Sequence, residues 1–177
     1  MMIRYAVVIL LMASPAFAQD AGTAAWTAIY EVFSHPRCAN CHVGPDNVPM
    51  WSGSSYGAKP RPHGMNIGAE SIPCSSCHAL QNSQLPHGPP GAHGWLLAPV
   101  TMQWFGKSSA EICSQIKDPA RNGGRKVEDL IHHIGSDTLV GWAWAPGFGR
   151  QPAPGTQSQA GALVEAWVKT GAACPAQ

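Results

Sequence analysis

The chain has 177 residues, with 11 Lys and Arg against 10 Asp and Glu, for a formal charge of +1. Charged residues make up only 12%, and 19 glycines and 16 prolines interrupt the chain repeatedly. Near-neutrality leaves no electrostatic footprint for nucleic acid. A loop-rich chain with a modest apolar core calls for staples such as disulfides, metals or a bound cofactor.

The N-terminus reads as an address. Arg4 supplies a positive charge, Tyr5 to Ala13 is apolar, and Ala16-Phe17-Ala18 offers small residues before Gln19. That pattern predicts a secretory signal peptide cleaved after Ala18. The apolar run falls short of the roughly 20 residues a membrane span needs, and no other stretch is long enough. The mature chain is therefore expected in the periplasm, without stable membrane insertion. There is no twin arginine, which favours the general export route. The expected organisation is a signal peptide over 1–18 and a single domain over 19–177. Within that domain a cofactor-binding part covers about 22–107 and a helical part about 108–177.

Trp26, Ile29, Tyr30 and Phe33 recur at i, i+3, i+4 and i+7, which predicts an amphipathic helix. It leads into "CANCH", Cys38 to His42. "CSSCH", Cys74 to His78, repeats the pattern. C-x-x-C-H is the attachment signature of c-type haem. Two thiols, Cys38 and Cys41 or Cys74 and Cys77, add to the vinyl groups of one porphyrin edge. The next residue, His42 or His78, then lies under the iron as proximal ligand. Two covalently bound haems are expected. A zinc ribbon is the first alternative, but its cysteine pairs usually stand roughly 15–20 residues apart. The 42–73 stretch here is longer, and zinc gives no reason for a histidine after both pairs. A thioredoxin-like dithiol would need a βαβ setting, which is absent.

Residues 43–107 show little periodicity and many Gly and Pro. They read as loops wrapped on porphyrin, with haem acting as the missing apolar core. Trp51, Trp95, Trp104, Trp142 and Trp144 are candidate haem walls or ordinary core. After Ser108, a capping box with Glu111 predicts a helix near 109–117 whose inner face is Ile112, Cys113 and Ile116. A second helix is expected near 125–134, with Val127, Leu130, Ile131 and Ile134 inward and Gly135 at its end. "LVGWAWAPGFGRQPAPG" reads as an aromatic loop or short extended segment. Thr156 and Gln159 form another capping box, opening a last helix with Ala160, Leu163, Val164 and Trp167 inward, stopping near Gly171. The fold class is mostly α with long Gly/Pro-rich loops, one compact dihaem cytochrome c-like unit. In an oxidising compartment Cys113 and Cys174 are expected to form a disulfide; ligation of iron by one of their thiolates is the alternative.

The distal ligands do not follow from the motif. His63 is the candidate for the first haem. Met65 is the alternative, and with only Gly64 between them the two would point to opposite sides of an extended loop. Met102 is the candidate for the second haem, with His133 competing because it lies beside Leu130 near the buried helix face. His87 and His93 stand in a Pro/Gly loop as ligands or rim residues. His35 reads as structural or propionate-side.

Beyond the two motifs, "HPRCANCH", "PCSSCH", "ICSQIKDPARNGG", "DTLVGWAWAPGFGR" and "GAACP" resemble the small exported cytochromes labelled isoquinoline 1-oxidoreductase subunits. The resemblance covers nearly all of the expected mature chain. It implies a dihaem electron carrier that takes electrons from a periplasmic molybdenum hydroxylase. Nothing in the chain looks like a molybdopterin or iron–sulfur site, so the oxidation of substrate belongs to the partner. The expected function is electron transfer between a periplasmic oxidoreductase and the respiratory chain, through redox partner proteins docked at the porphyrin edges. The alternative is a small dihaem enzyme, such as a peroxidase with one open iron and acid/base groups nearby.

Overall fold

The computed structural model describes residues 15–43, 50–51, 54–55, 73–85, 88–147 and 149–176. Most of the expected signal peptide lies outside them. So do His63, Met65 and His87. Among the described residues no helix is long and apolar enough to cross a membrane.

Helix α1 runs Pro15–Phe33. Its inner stripe is the predicted one, with Trp26, Ile29 and Phe33 buried and Tyr30 packed at the edge. A short helix α2, Pro36–Ala39, carries the start of the first motif. A minimal antiparallel pairing follows, β1 Met50–Trp51 with β2 Ser54–Ser55. It was not expected, because two-residue strands leave no alternation to detect. A 3-10 turn over Cys74–Ser76 carries the second motif.

Helix α3, Ser109–Lys117, begins with the predicted capping box: Ser108 Oγ accepts from Glu111 N, and Glu111 accepts from Ser108 N. Ile112, Cys113 and Ile116 are buried as expected. Burying each isoleucine contributes roughly 1.5–3 kcal/mol. Helix α4 is shorter than expected, Asp129–Gly135 rather than 125–134. Asn122 is the reason. Its side chain donates to Ile116 O and Arg125 O and accepts from Arg125 N, which holds 122–125 as a closed turn. The next amides bond three residues back, Leu130 N to Val127 O and Ile131 N to Glu128 O, so the helix winds up through a 3-10 turn.

The segment expected as a loop or extended strand is instead helix α5, Thr138–Gly141, running into a 3-10 turn over Trp142–Trp144. Asp137 starts it by accepting from Leu139 N at 2.8 Å. One helical turn is too short to show periodicity, so the cap was its only sequence signal. Helix α6, Gln157–Lys169, has the predicted Thr156–Gln159 capping box. It ends in a Schellman motif: Gly171 N donates to Val168 O and Ala172 N to Trp167 O. Gly171 takes the left-handed φ of 92° that this ending needs.

Helix α6 packs against both α1 and α4. Trp26 and Trp167 meet at a centroid distance of 5.0 Å. Both indoles are fully buried yet satisfied, Trp26 donating to Ser109 Oγ and Trp167 to Ala173 O. The disulfide Cys113–Cys174 ties the C-terminal tail to α3, with Cα atoms 5.7 Å apart. Closing a loop of that length stabilises by about 4 kcal/mol in the chain-entropy model, whose mechanism is disputed. Both sulfurs are engaged, which removes Cys113 and Cys174 as iron ligands.

Helices α4 and α6 cross at Gly135 and Gly161. A Cβ on Gly161 would stand 2.6 Å from Gly135 Cα. Alanine is favoured over glycine in a helix by about 1 kcal/mol, but here the clash is with backbone, which cannot rotate away. Gly161→Ala is therefore expected to destabilise the protein by a net of about 1–2 kcal/mol, read as a lower urea midpoint at unchanged m-value. An unchanged or raised midpoint would show that the helices separate freely.

Candidate functional site

The two cysteine–histidine motifs fold as the same turn. In the first, Cys41 N and His42 N both donate to Cys38 O, at 3.1 and 3.2 Å; in the second, Cys77 N and His78 N donate to Cys74 O, at 3.2 and 2.9 Å. His35 opens the first turn by accepting from Arg37 N through Nδ1, with Pro36 behind it. Pro73 opens the second. Proline's fixed φ suits the first residues of such a turn.

Each histidine ring is anchored in the same way. His42 Nδ1 lies 2.9 Å from Met102 O, and His78 Nδ1 lies 2.7 Å from Pro90 O. A carbonyl only accepts, so in both rings Nδ1 carries the proton and Nε2 keeps its lone pair. Metal-ligating histidines are oriented in this manner. Each ring also lies flat on an indole. His42 stacks on Trp104 at 3.4 Å and 6°, His78 on Trp95 at 4.7 Å and 10°. These two tryptophans could not be separated from ordinary core by sequence, because their distance along the chain from the motif obeys no fixed spacing.

Different pieces of chain bring these partners in. Beside the first motif, Ala98 N donates to Cys41 O and Trp104 N to His42 O, so the 98–104 segment is laced along the turn. Beside the second motif, the loop folds back on itself. Gly91 is buried there, and a Cβ on it would lie within 3 Å of Ala79 O and Gln81 O. Asn82 secures the fold-back, its Oδ1 accepting from Gly91 N at 3.1 Å and Trp142 Nε1 at 2.9 Å. The glycine of "PPGAH" is thus what lets Pro90 reach His78.

The first motif opens onto a cavity of about 860 Å³. That is near the upper end of ligand pockets, roughly 300–1,000 Å³, and far larger than an ion requires. Cys38, Cys41 and His42 share its wall with Trp26, Ile29 and Phe33 of α1. Trp95, Trp142 and His133 also line it, as do the guanidinium-bearing Arg37 and Arg125. Protein surrounds the motif closely. Burial pushes the Cys38 thiol up to about 12 and the Cys41 thiol up to about 11, with Arg37 opposing in both. Burial likewise lowers His42 to about 3, against the bond to Met102 O. The His42 ring is therefore neutral, and the thiols are protonated. Neutral, desolvated thiols are poor redox nucleophiles, which weakens the dithiol alternative at the first motif. Among the described residues no three His, Cys, Asp or Glu side chains converge on one point. A zinc site takes about four such ligands, whereas a porphyrin already supplies four nitrogens to its iron.

The second motif is more open. Cys77 is exposed and Cys74 is half-buried. Burial lowers the His78 pKa, opposed by the Pro90 bond. Arg150 adds to the lowering and donates to Gly88 O and Pro146 O.

Met102 and His133, both assigned by sequence to the second motif, line the cavity of the first. Met102 is buried, and its carbonyl belongs to the His42 anchor. His133 is half-buried on α4, its Nδ1 3.3 Å from Asp137 Oδ2. Burial lowers its pKa, as does Arg125, and Asp137 acts against both. His132 is exposed, with Nδ1 against Ser136 Oγ. His93 is exposed at the cavity rim.

The residues of the first cavity fit a covalently held haem. Two thiols and an imidazole with a free Nε2 come from one turn, and the walls are largely aromatic and aliphatic. Arg37 and Arg125 bring two guanidinium cations to the lining, a charge that haem carboxylates would complement. Trp104 Nε1 is buried and without a hydrogen-bond partner among the described residues. A buried orphan donor costs about 1–3 kcal/mol. Compared with protein-family models, curated proteins and solved structures, the chain matches none.

The two motifs differ in thiol accessibility, and alkylation reads that difference. In protein prepared with its motif cysteines free, Cys77 is expected to react with iodoacetamide first and Cys38 and Cys41 last, by at least about tenfold at pH 8. Peptide mass spectrometry over a time course gives the order. Equal rates at all four sites would contradict the enclosed first motif.

Proposed function

We propose that the chain is an exported dihaem c-type cytochrome that carries electrons between redox proteins. The observation that supports this most is the duplicated turn. Both C-x-x-C-H segments share one backbone hydrogen-bond pattern, one Nδ1-to-carbonyl anchor and one tryptophan stacked on the imidazole. A structural motif needs no such repeated orientation of a histidine; a metal ligand does.

A haem bound at each turn supplies one-electron Fe(III)/Fe(II) chemistry. The protein's own contribution is binding, orientation and environment. Cys38 and Cys41 hold one porphyrin edge, and Cys74 and Cys77 the other haem's. His42 and His78 present Nε2 from rings that cannot turn, because Nδ1 is tied to a carbonyl and the ring face to an indole. Trp26, Ile29 and Phe33 keep water from the first site. Arg37, itself fixed by Nε donating to Gln151 O at 2.8 Å, brings positive charge to a buried wall. The enclosed first site and the open second site favour different solvation, and burial and solvent exposure are levers on haem potential. The pair is thus suited to two unlike potentials. Export agrees with the disulfide, which persists in oxidising compartments. The donor we favour is a periplasmic molybdenum hydroxylase, with the respiratory chain as acceptor; the sequence resemblance supports this.

The test is haem stoichiometry. Full-length chain expressed with the periplasmic haem-attachment machinery is expected to carry two haems per chain by pyridine haemochrome, surviving denaturing electrophoresis. Cys38→Ser/Cys41→Ser and Cys74→Ser/Cys77→Ser are each expected to lose one. Retention of no covalent haem in the wild-type chain would sink the proposal. An open high-spin iron that turns over peroxide would replace the carrier by a dihaem peroxidase.

A further inference from the structure

We propose that His133 is the distal ligand of the iron at the first motif, and that Asp137 positions its ring. The inference rests on the dihaem reading above and assigns the face of the iron opposite His42.

The first cavity is lined by three described histidines besides His42 and by one methionine: His93, His132, His133 and Met102. Met102 belongs to the His42 side. Its carbonyl receives His42 Nδ1, and two residues on, Trp104 lies against the His42 ring. His93 and His132 are exposed. His132 also has its Nδ1 2.6 Å from Ser136 Oγ, on the side of α4 that faces solvent. His133 alone is half-buried, on a helix packed into the core through Leu130 and Ile134.

His133 also has the anchoring of a ligand. Its Nδ1 faces Asp137 Oδ2 at 3.3 Å, which leaves Nε2 for the cavity. Asp137 is itself fixed, since Oδ1 caps α5 by accepting from Leu139 N at 2.8 Å. Helix cap, carboxylate and imidazole form one relay. The proximal histidines rest on neutral carbonyls, whereas His133 rests on a carboxylate. A carboxylate partner raises the basicity of a ligating imidazole, so this ligand donates more strongly than either proximal one. Helix α4 cannot drift, because its C-terminal end is pressed against α6 at Gly135 and Gly161. Sequence placed His133 near the buried face and set it against Met102 for the second motif, but the cavity it lines is that of the first.

The experiment uses the full-length holoprotein with both haems attached, checked by haem stain, so that loss of covalent haem is scored separately against the dihaem reading. Oxidised samples are compared by low-temperature EPR and near-infrared magnetic circular dichroism. In the wild type one haem is expected to show bis-histidine ligation. His133→Ala is expected to convert that haem to high spin, and added imidazole to restore low spin. His133→Met is expected to bring in the near-infrared charge-transfer band of a methionine-ligated ferric haem. Asp137→Asn keeps low spin but raises the midpoint potential of the same haem, because its ligand donates less. A merely structural His133 would move stability without these spectroscopic changes. Should His133→Ala fold poorly, His133→Met and Asp137→Asn carry the same test. Unchanged low-spin signals of both haems in the folded His133 variants would overturn the assignment.

Discussion

The indole of Trp104 has one face against Phe33, at 4.8 Å, and it stacks on the His42 imidazole at 3.4 Å. Phe33 in turn meets Trp26 edge-on, and Trp26 meets Trp167 of α6. The hydrophobic core is therefore continuous with the His42 imidazole through one column of rings. Aromatic pairs add about 0.5–1.5 kcal/mol each beyond the area they bury. Moving His42 means moving the column. That constraint is why a neutral, Gly/Pro-rich chain can hold a ring to a fixed orientation.

The rest of the chain keeps that column in register. Helix α6 is specified at both ends, by a capping box and a Schellman motif, so Trp167 arrives at a set height. The disulfide to α3 and the Lys117 bond to Ala172 O secure the tail just beyond it. Because α6 also touches α4, the same helix that supports Trp26 supports His133 from the other side. Core and site share their scaffolding, and the glycine crossing at 135 and 161 sets how closely the two sides approach.

The two motifs are alike locally and different in setting. Trp95 stacks on His78 and also lines the first cavity, where it meets Trp142 edge-on at 5.1 Å. Trp142 lies under Arg37, the residue before Cys38, and donates to Asn82 of the second motif's loop. This pair of indoles joins the two sites into one body. In the proposed carrier it lies between an enclosed first haem and an open second one. Electron exchange with partners then favours the open side, where redox contacts can be small and transient.

Much of this could be read from sequence because it is local. The motif turns depend on residues within five positions. The capping boxes at Ser108 and Thr156 depend on residues three apart, and the helical stripes on a 3.6-residue period. Those features were determined by the chain alone, as was the oxidised cysteine pair, since two remaining cysteines in a chain that reads as exported have few other uses. Four features were not legible in the sequence. The late start of α4 came from Asn122 closing a turn on itself, and α5 was too short to show a period. The carbonyls that anchor His42 and His78 come from segments 60 and 12 positions away, and nothing in spacing announces them. Above all, His133 and Met102 were assigned to the second motif, and packing put both at the first. A wheel shows which face of a helix is buried, but only the crossing of α4 with α6 decides what that face looks at.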